Sequence, residues 1–161
     1  MKQLFAAALA LAASIANAQV SSERSAEYLS GAGMGYAKPA ELNHFPGPMH
    51  VLELADKLGL SGEQRATTRQ LMDQHKQQAR TIGAELVESE RVLEGLFEKG
   101  VVDEATLARA VRETAALEGE YRLSHLETHR RMRALLTEEQ VKRYDELRGY
   151  SPDAAAHPHR H

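Results

Sequence analysis

Two short boxes of like sequence constrain this chain more than anything else in it: Leu60-Ser61-Gly62-Glu63-Gln64 and Leu136-Thr137-Glu138-Glu139-Gln140. Both fit a capping box. The Ser or Thr hydroxyl accepts from the N3 backbone N–H, and the Gln side chain reaches back to the N-cap N–H. Leu136 and Val141 add the apolar residues that a hydrophobic staple requires. One box says that a helix starts there. Two of them, at either end of a segment without strand-like alternation, call for an all-α domain.

Between the boxes the apolar residues keep helical time. Leu71, Ala79, Ile82, Leu86, Leu93 and Leu96 fall near a 3.5-residue spacing, which predicts a helix from the Ser61 cap to about Glu98. At 1.5 Å per residue it would be roughly 55 Å long. Lys99-Gly100 ends it, and Asp103 caps the next helix. The seam of that helix is Leu107, Ala110, Thr114, Leu117, Tyr121, Ser124, Thr128 and Leu135. Two long helices joined by a short turn fold back as an antiparallel hairpin. A short helix over about Met49 to Leu58 precedes the hairpin, and another follows the Thr137 box to about Leu147, with Gly149 as its stop.

The flanks read differently. Met1-Lys2, the apolar run Leu4 to Ile15 and Ala16-Asn17-Ala18 have the layout of a Sec-type signal peptide cleaved after Ala18, which predicts a periplasmic protein. Residues 19–48 form a polar leader rich in Gly and Pro, ending in Phe45-Pro46-Gly47-Pro48, and are expected to be extended and flexible. The helical domain then spans 49–149. Residues 150–161 read as a disordered tail ending His157-Pro158-His159-Arg160-His161.

Composition removes several functions. There is no Cys, hence no disulfide, thiol nucleophile or thiolate metal site. A formal charge of −3 argues against nucleic acid as the main partner. No Gly-x-Ser-x-Gly, phosphate loop or His-Glu-x-x-His occurs, and the carboxylates sit in helical charge patterns, so no enzyme is expected.

Histidine is the one ligand type in excess. His125 and His129 lie one turn apart on one helix face and could chelate a divalent ion through neutral nitrogens, with Met132 three residues further on. If the hairpin turn centres near residue 101, His75 comes level with position 127 and Met72 lies near Arg130. Two solvated histidines are the alternative reading. Arg122, Arg130, Arg131 and Arg133 surround the pair and oppose a second cation. The tail histidines His157, His159 and His161 form a His-rich tract of the kind that binds transition metals weakly. A His/Met set suits zinc or copper better than nickel or cobalt.

The paired Leu-Ser/Thr-x-x-Gln boxes behind an export signal resemble the Spy/CpxP family over roughly residues 50–149. That resemblance implies an antiparallel, cradle-shaped homodimer and an ATP-independent chaperone for unfolded envelope proteins in envelope stress. Basic residues at the hairpin base (Arg65, Arg69, Lys76) and acidic ones at its tip (Glu85, Glu94, Glu98) would suit such antiparallel pairing. The CnrX-like branch of the family implies a second role, a heavy-metal sensor or buffer signalling to a membrane partner. Its ligands come from histidines on the first helix, where His50 stands here with His44 in the leader, and from a His-x-x-x-Met pair on the third, which His125 to His129 resembles. The chain departs from that branch at Met72, which occupies the position of a carboxylate ligand.

Overall fold

The structure, a computed structural model of the chain, describes residues 22–100 and 102–150. The expected signal peptide, its cleavage site and the tail histidines His157, His159 and His161 lie outside the described residues. Among those described there are six helices and no strand: α1 (22–30), α2 (Lys38–Glu41), α3 (Pro48–Glu53), α4 (Gly62–Glu98), α5 (Glu104–Leu135) and α6 (Glu138–Arg148). The architecture is the all-α hairpin with short flanking helices. α4 and α5 pack along each other, and the rest gather against their length and base.

The helix ends follow from local chemistry. Ser61 and Thr137 each form a complete capping box, with their hydroxyls accepting from Gln64 N and Gln140 N. Asp103 caps α5 by accepting from Thr106 N. Gly149 ends α6 in the left-handed conformation (φ 74°), which costs glycine nothing. α3 is shorter than expected. It stops at Glu53, and the chain continues in turns to Gly59 before the Ser61 cap.

The two boxes do more than start helices. Gln64 Nε2 donates to Gln140 Oε1 at 2.8 Å, and Gln140 Nε2 donates to Gln64 Oε1 at 3.0 Å. The same amides donate to the carbonyls of Leu135 and Leu58. Two helix N-termini are thus tied at the base of the hairpin by a reciprocal amide pair. Each partner also satisfies a carbonyl that would otherwise face the core.

Two apolar clusters follow. The base cluster holds Val51, Ala55, Leu58, Leu60, Leu71, Met132, Leu136, Val141 and Tyr144. The second, further along the hairpin, holds Tyr28, Ala79, Leu86 and Tyr121. Tyr28 shows why the flexible, extended leader of the sequence reading has to be corrected. α1 lies directly on α4, and a Cβ on Gly83 would stand 2.2 Å from the Tyr28 carbonyl oxygen. Tyr28 and Tyr36 pack edge-on against Tyr121, at centroid distances of 5.1 and 5.9 Å. Tyr121 donates to the Ala32 carbonyl at 2.7 Å. The glycines that mark this segment as a helix breaker serve it as turns instead: Gly31 and Gly35 take φ 74° and 77°, so the chain leaves α1 and doubles back. Tyr28 and Tyr36 anchor the segment on Tyr121 and offset part of the entropy of ordering it.

Candidate metal centre

His75 on α4 and His125 on α5 meet between the two apolar clusters. Leu71 and Met132 lie on the base side of them, and Ala79 and Tyr121 on the other. The position follows from the hairpin register, since His75 sits one turn beyond Leu71 and His125 one turn beyond Tyr121. His75 Nε2 and His125 Nδ1 are 3.0 Å apart, and the rings pack edge-on with centroids at 4.4 Å. Tyr121 lies against the far side of His125 at 4.9 Å.

The pair cannot satisfy itself. One proton fits between the facing nitrogens, so the outer nitrogens must be one N–H and one lone pair, whichever tautomer holds. Those outer atoms, His75 Nδ1 and His125 Nε2, are buried without a hydrogen-bond partner among the described residues. An orphaned buried polar atom costs about 1–3 kcal/mol, and here each ring of the pair carries one on the side away from the other. Burial, with the His75 and His129 rings nearby, lowers the His125 pKa to about 4; burial also lowers that of His75. Both rings are therefore neutral at pH 7, the form in which imidazole binds metal.

His129 stands one turn along α5 but is held apart. Its Nδ1–H donates to the Phe45 carbonyl at 2.8 Å, and the ring supports Gly47 so closely that a Cβ there would approach its Cε1 and Nε2 to 2.8 and 2.9 Å. The Pro46-Gly47-Pro48 run, read from sequence as a helix breaker, is buried on this ring. No sequence signal marks a carbonyl as the partner of a histidine 84 positions away.

The other candidates are occupied elsewhere. His44, in the left-handed region (φ 68°), donates from Nδ1 to Asp145 Oδ2 at 2.6 Å. His50 Nδ1 bonds Glu53 at 3.0 Å, while its Nε2 is 3.7 Å from Glu41. Met132, placed near the histidine face by its spacing, is fully buried in the base cluster instead, where its thioether is packing. Among the described residues, no group of three or more His, Asp, Glu or Cys side chains is gathered to hold a metal ion.

Of the four arginines expected to repel a cation, Arg130 and Arg133 are paired with carboxylates, whereas Arg131 reaches the neutral Gln74 at 3.4 Å. Arg130 forms a two-pronged pair with Glu127 at 2.6 and 2.7 Å, and Arg133 another with Glu138. Arg122 lies over the Tyr36 ring, 4.8 Å from its centroid. The objection from charge is weaker by those two and stands for Arg122 and Arg131.

His75 and His125 supply two donors of the right type, short of the three or four protein ligands that a zinc ion takes, and no third joins them among the described residues. Two neutral imidazoles face each other at 3.0 Å, and two nitrogen ligands of a tetrahedral zinc ion span about 3.3 Å, a few tenths more. A family model for heavy-metal resistance matches residues 28–143, and that family lies within the Spy/CpxP-like helical fold group. No curated protein and no solved structure gives a significant match. The matched span takes in α3 to α5 entirely, together with the two boxes and the histidine pair, and so the chain belongs to the heavy-metal resistance family.

Proposed function

We propose that this is a periplasmic protein that captures a borderline transition metal, Zn(II) or Cu(II), through His75 and His125. The observation that carries the reading is the part-buried pair of neutral imidazoles whose facing nitrogens, His75 Nε2 and His125 Nδ1, lie 3.0 Å apart. The donor set is nitrogen without thiolate or thioether, which favours Zn(II) or Cu(II) over Cu(I). The bound ion would act as the signal or the cargo. The export signal expected at residues 1–18 supports a periplasmic setting, where a membrane-bound regulator is the natural receiver.

Calorimetry on the chain tests this. Zn(II) should bind at neutral pH, with a site that survives deletion of residues 157–161 and disappears in His75→Ala plus His125→Ala. Loss of all binding with the tail deletion would refute the reading.

A second reading rests on a different observation. Val92, Phe97, Val111 and Leu123 are 51, 60, 48 and 55% exposed, an apolar allotment suited to transient contact with unfolded envelope proteins. Under that reading the protein is an ATP-independent chaperone. Suppression of aggregation of a denatured client at near-equal concentration, without nucleotide, is the corresponding assay.

A further inference from the structure

We infer that the hairpin face under α1 is a docking surface for an amphipathic, aromatic-anchored stretch of an unfolded chain, and that α1 is its built-in occupant, which a client displaces. The inference rests on the chaperone reading and deepens it. Three features of the structure carry it.

The first is the face itself. Ala79, Leu86 and Tyr121 are at most 1% exposed, and Ile82, Val87 and Leu117 pack beside them. Among them stands Gly83, buried inside a 37-residue helix, where glycine is a poor helix former. A Cβ there would meet the Tyr28 carbonyl oxygen at 2.2 Å, so the missing side chain leaves a notch that takes backbone. Apolar walls around such a notch suit a helix laid into them with one large side chain as its anchor. α1 supplies that anchor as Tyr28.

The second is how weakly α1 is held. Of residues 22–30, Tyr28 alone is buried, and Leu29 is 50% exposed. A helix this short is not stable by itself, so it stays only while its tertiary contacts hold. Its polar ties lie at the edge of the face. Glu118 on α5 accepts from the Tyr36 hydroxyl at 2.6 Å and pairs with Arg24 at 3.4 Å, and exposed pairs of that kind contribute little. A strongly apolar face under a lightly tied cover is the arrangement of a site that a ligand opens by displacement.

The third is the room beside α1. A groove of about 720 Å³ runs from α1 toward the hairpin tip, walled by Tyr28, Val87, Leu93 and Phe97. Phe97, at its far end, is 60% exposed. The apolar surface thus continues past the part that α1 covers. A client seated on Leu93 and Phe97 can compete for the Gly83 notch and Tyr121, replacing one buried tyrosine with a longer apolar contact. Arg24, Arg91, Glu90 and Glu94 rim the groove with both signs of charge, so the rim does not restrict the client to one sign.

The chain has no Cys, so an added pair can form only the intended intramolecular bridge. A Cβ on Gly31 would stand 3.4 Å from the Ala79 Cβ, close to the separation in a disulfide. Gly31→Cys with Ala79→Cys therefore staples the end of α1 to α4 when oxidised and frees it when reduced. The left-handed φ of 74° at Gly31 strains both redox forms alike, so comparing them isolates the staple. Glu118→Ala, at a side chain 40% exposed, unties α1 without touching the hairpin core. The assay is light scattering of heat-unfolded citrate synthase with the chain present, alongside hydrogen exchange at the amides of Gly31 and Ala32, which bond the Tyr28 and Glu27 carbonyls. Client should speed exchange at both amides about tenfold in the native sequence. Glu118→Ala should lower the concentration needed for half suppression about threefold, and the oxidised pair should raise it about tenfold, with dithiothreitol reversing the loss. Equal suppression by oxidised and reduced forms overturns the docking surface while sparing the chaperone reading. So does Glu118→Ala without gain, or client that leaves Gly31 and Ala32 exchange unchanged. Absence of suppression by the native chain, Glu118→Ala and the reduced pair alike overturns both.

Discussion

Replacing Gln64 and Gln140 by alanine, singly and together, probes the joint at the hairpin base. Gln140→Ala removes its cap on Thr137 N (3.0 Å), its two bonds with Gln64 (2.8 and 3.0 Å) and its long contact to Leu58 O (3.4 Å). Net hydrogen-bond contributions run near 1 kcal/mol each, so the single variant should lose about 2–3 kcal/mol. Gln64→Ala should lose a similar amount, since it caps Ser61 N and donates to Leu135 O. The double variant must lose less than the sum, because either change alone already breaks both amide–amide bonds and strands the surviving half-buried amide. The coupling should be about 1–2 kcal/mol. Urea denaturation followed by circular dichroism measures all three. Gln140→Glu sharpens the result: its carboxylate still accepts from Thr137 N and from Gln64 Nε2 but cannot donate to Gln64 Oε1 or Leu58 O, so it should keep the cap and lose half of the joint. Additivity within about 0.5 kcal/mol would show that the boxes are independent caps and that the joint contributes nothing.

Other outcomes follow from the same geometry. His125, whose pKa is lowered to about 4 in the folded chain from an ordinary 6.5, takes up its proton more readily when unfolded. Its contribution to stability is complete above pH 6.5 and is lost as pH falls through about 4, a swing of roughly 3 kcal/mol that chemical denaturation at stepped pH should show and His125→Phe should flatten. Gly83→Ala, which aims a methyl at the Tyr28 carbonyl, should cost about 1–3 kcal/mol and raise hydrogen exchange in α1 before α4 or α5. Tyr121→Phe strands the Ala32 carbonyl and should lose about 1–2 kcal/mol in thermal unfolding with the helix content unchanged. Sedimentation of the chain should give a dimer that weakens as salt rises, if basic base and acidic tip pair between copies.

Much of the hairpin was legible because its signals are local. Ser61, Asp103, Thr137 and Gly149 each act within a few residues of themselves, and they mark α4, α5 and α6 to within a residue or two. The register was legible too: counting back from the turn put His75 opposite residue 127, and it meets His125. The leader was not. Gly31, Gly33 and Gly35 weigh against helix whether the chain is loose or turning tightly, and only Tyr28, Tyr36 and the missing Cβ at Gly83 decide between them across a long sequence separation. Met132 was misplaced because helical spacing gives a direction and not a depth: one turn from His129, it already belongs to the base core. The division of labour among His75, His125 and His129 was hidden for a similar reason, since it hangs on the Phe45 backbone carbonyl, which any residue would supply.

Nitrogen-15 spectra of the histidine rings, recorded during a Zn(II) titration, test the central claim most directly. Coordination changes the resonance of the ligating ring nitrogen itself, so each imidazole reports for itself. The first equivalent should shift His75 Nε2 and His125 Nδ1, the two atoms that face each other at 3.0 Å, with the rings of His157, His159 and His161 responding only to later additions. If the tail rings titrate first and those of His75 and His125 stay unmoved through several equivalents, the His75–His125 pair is not a metal centre.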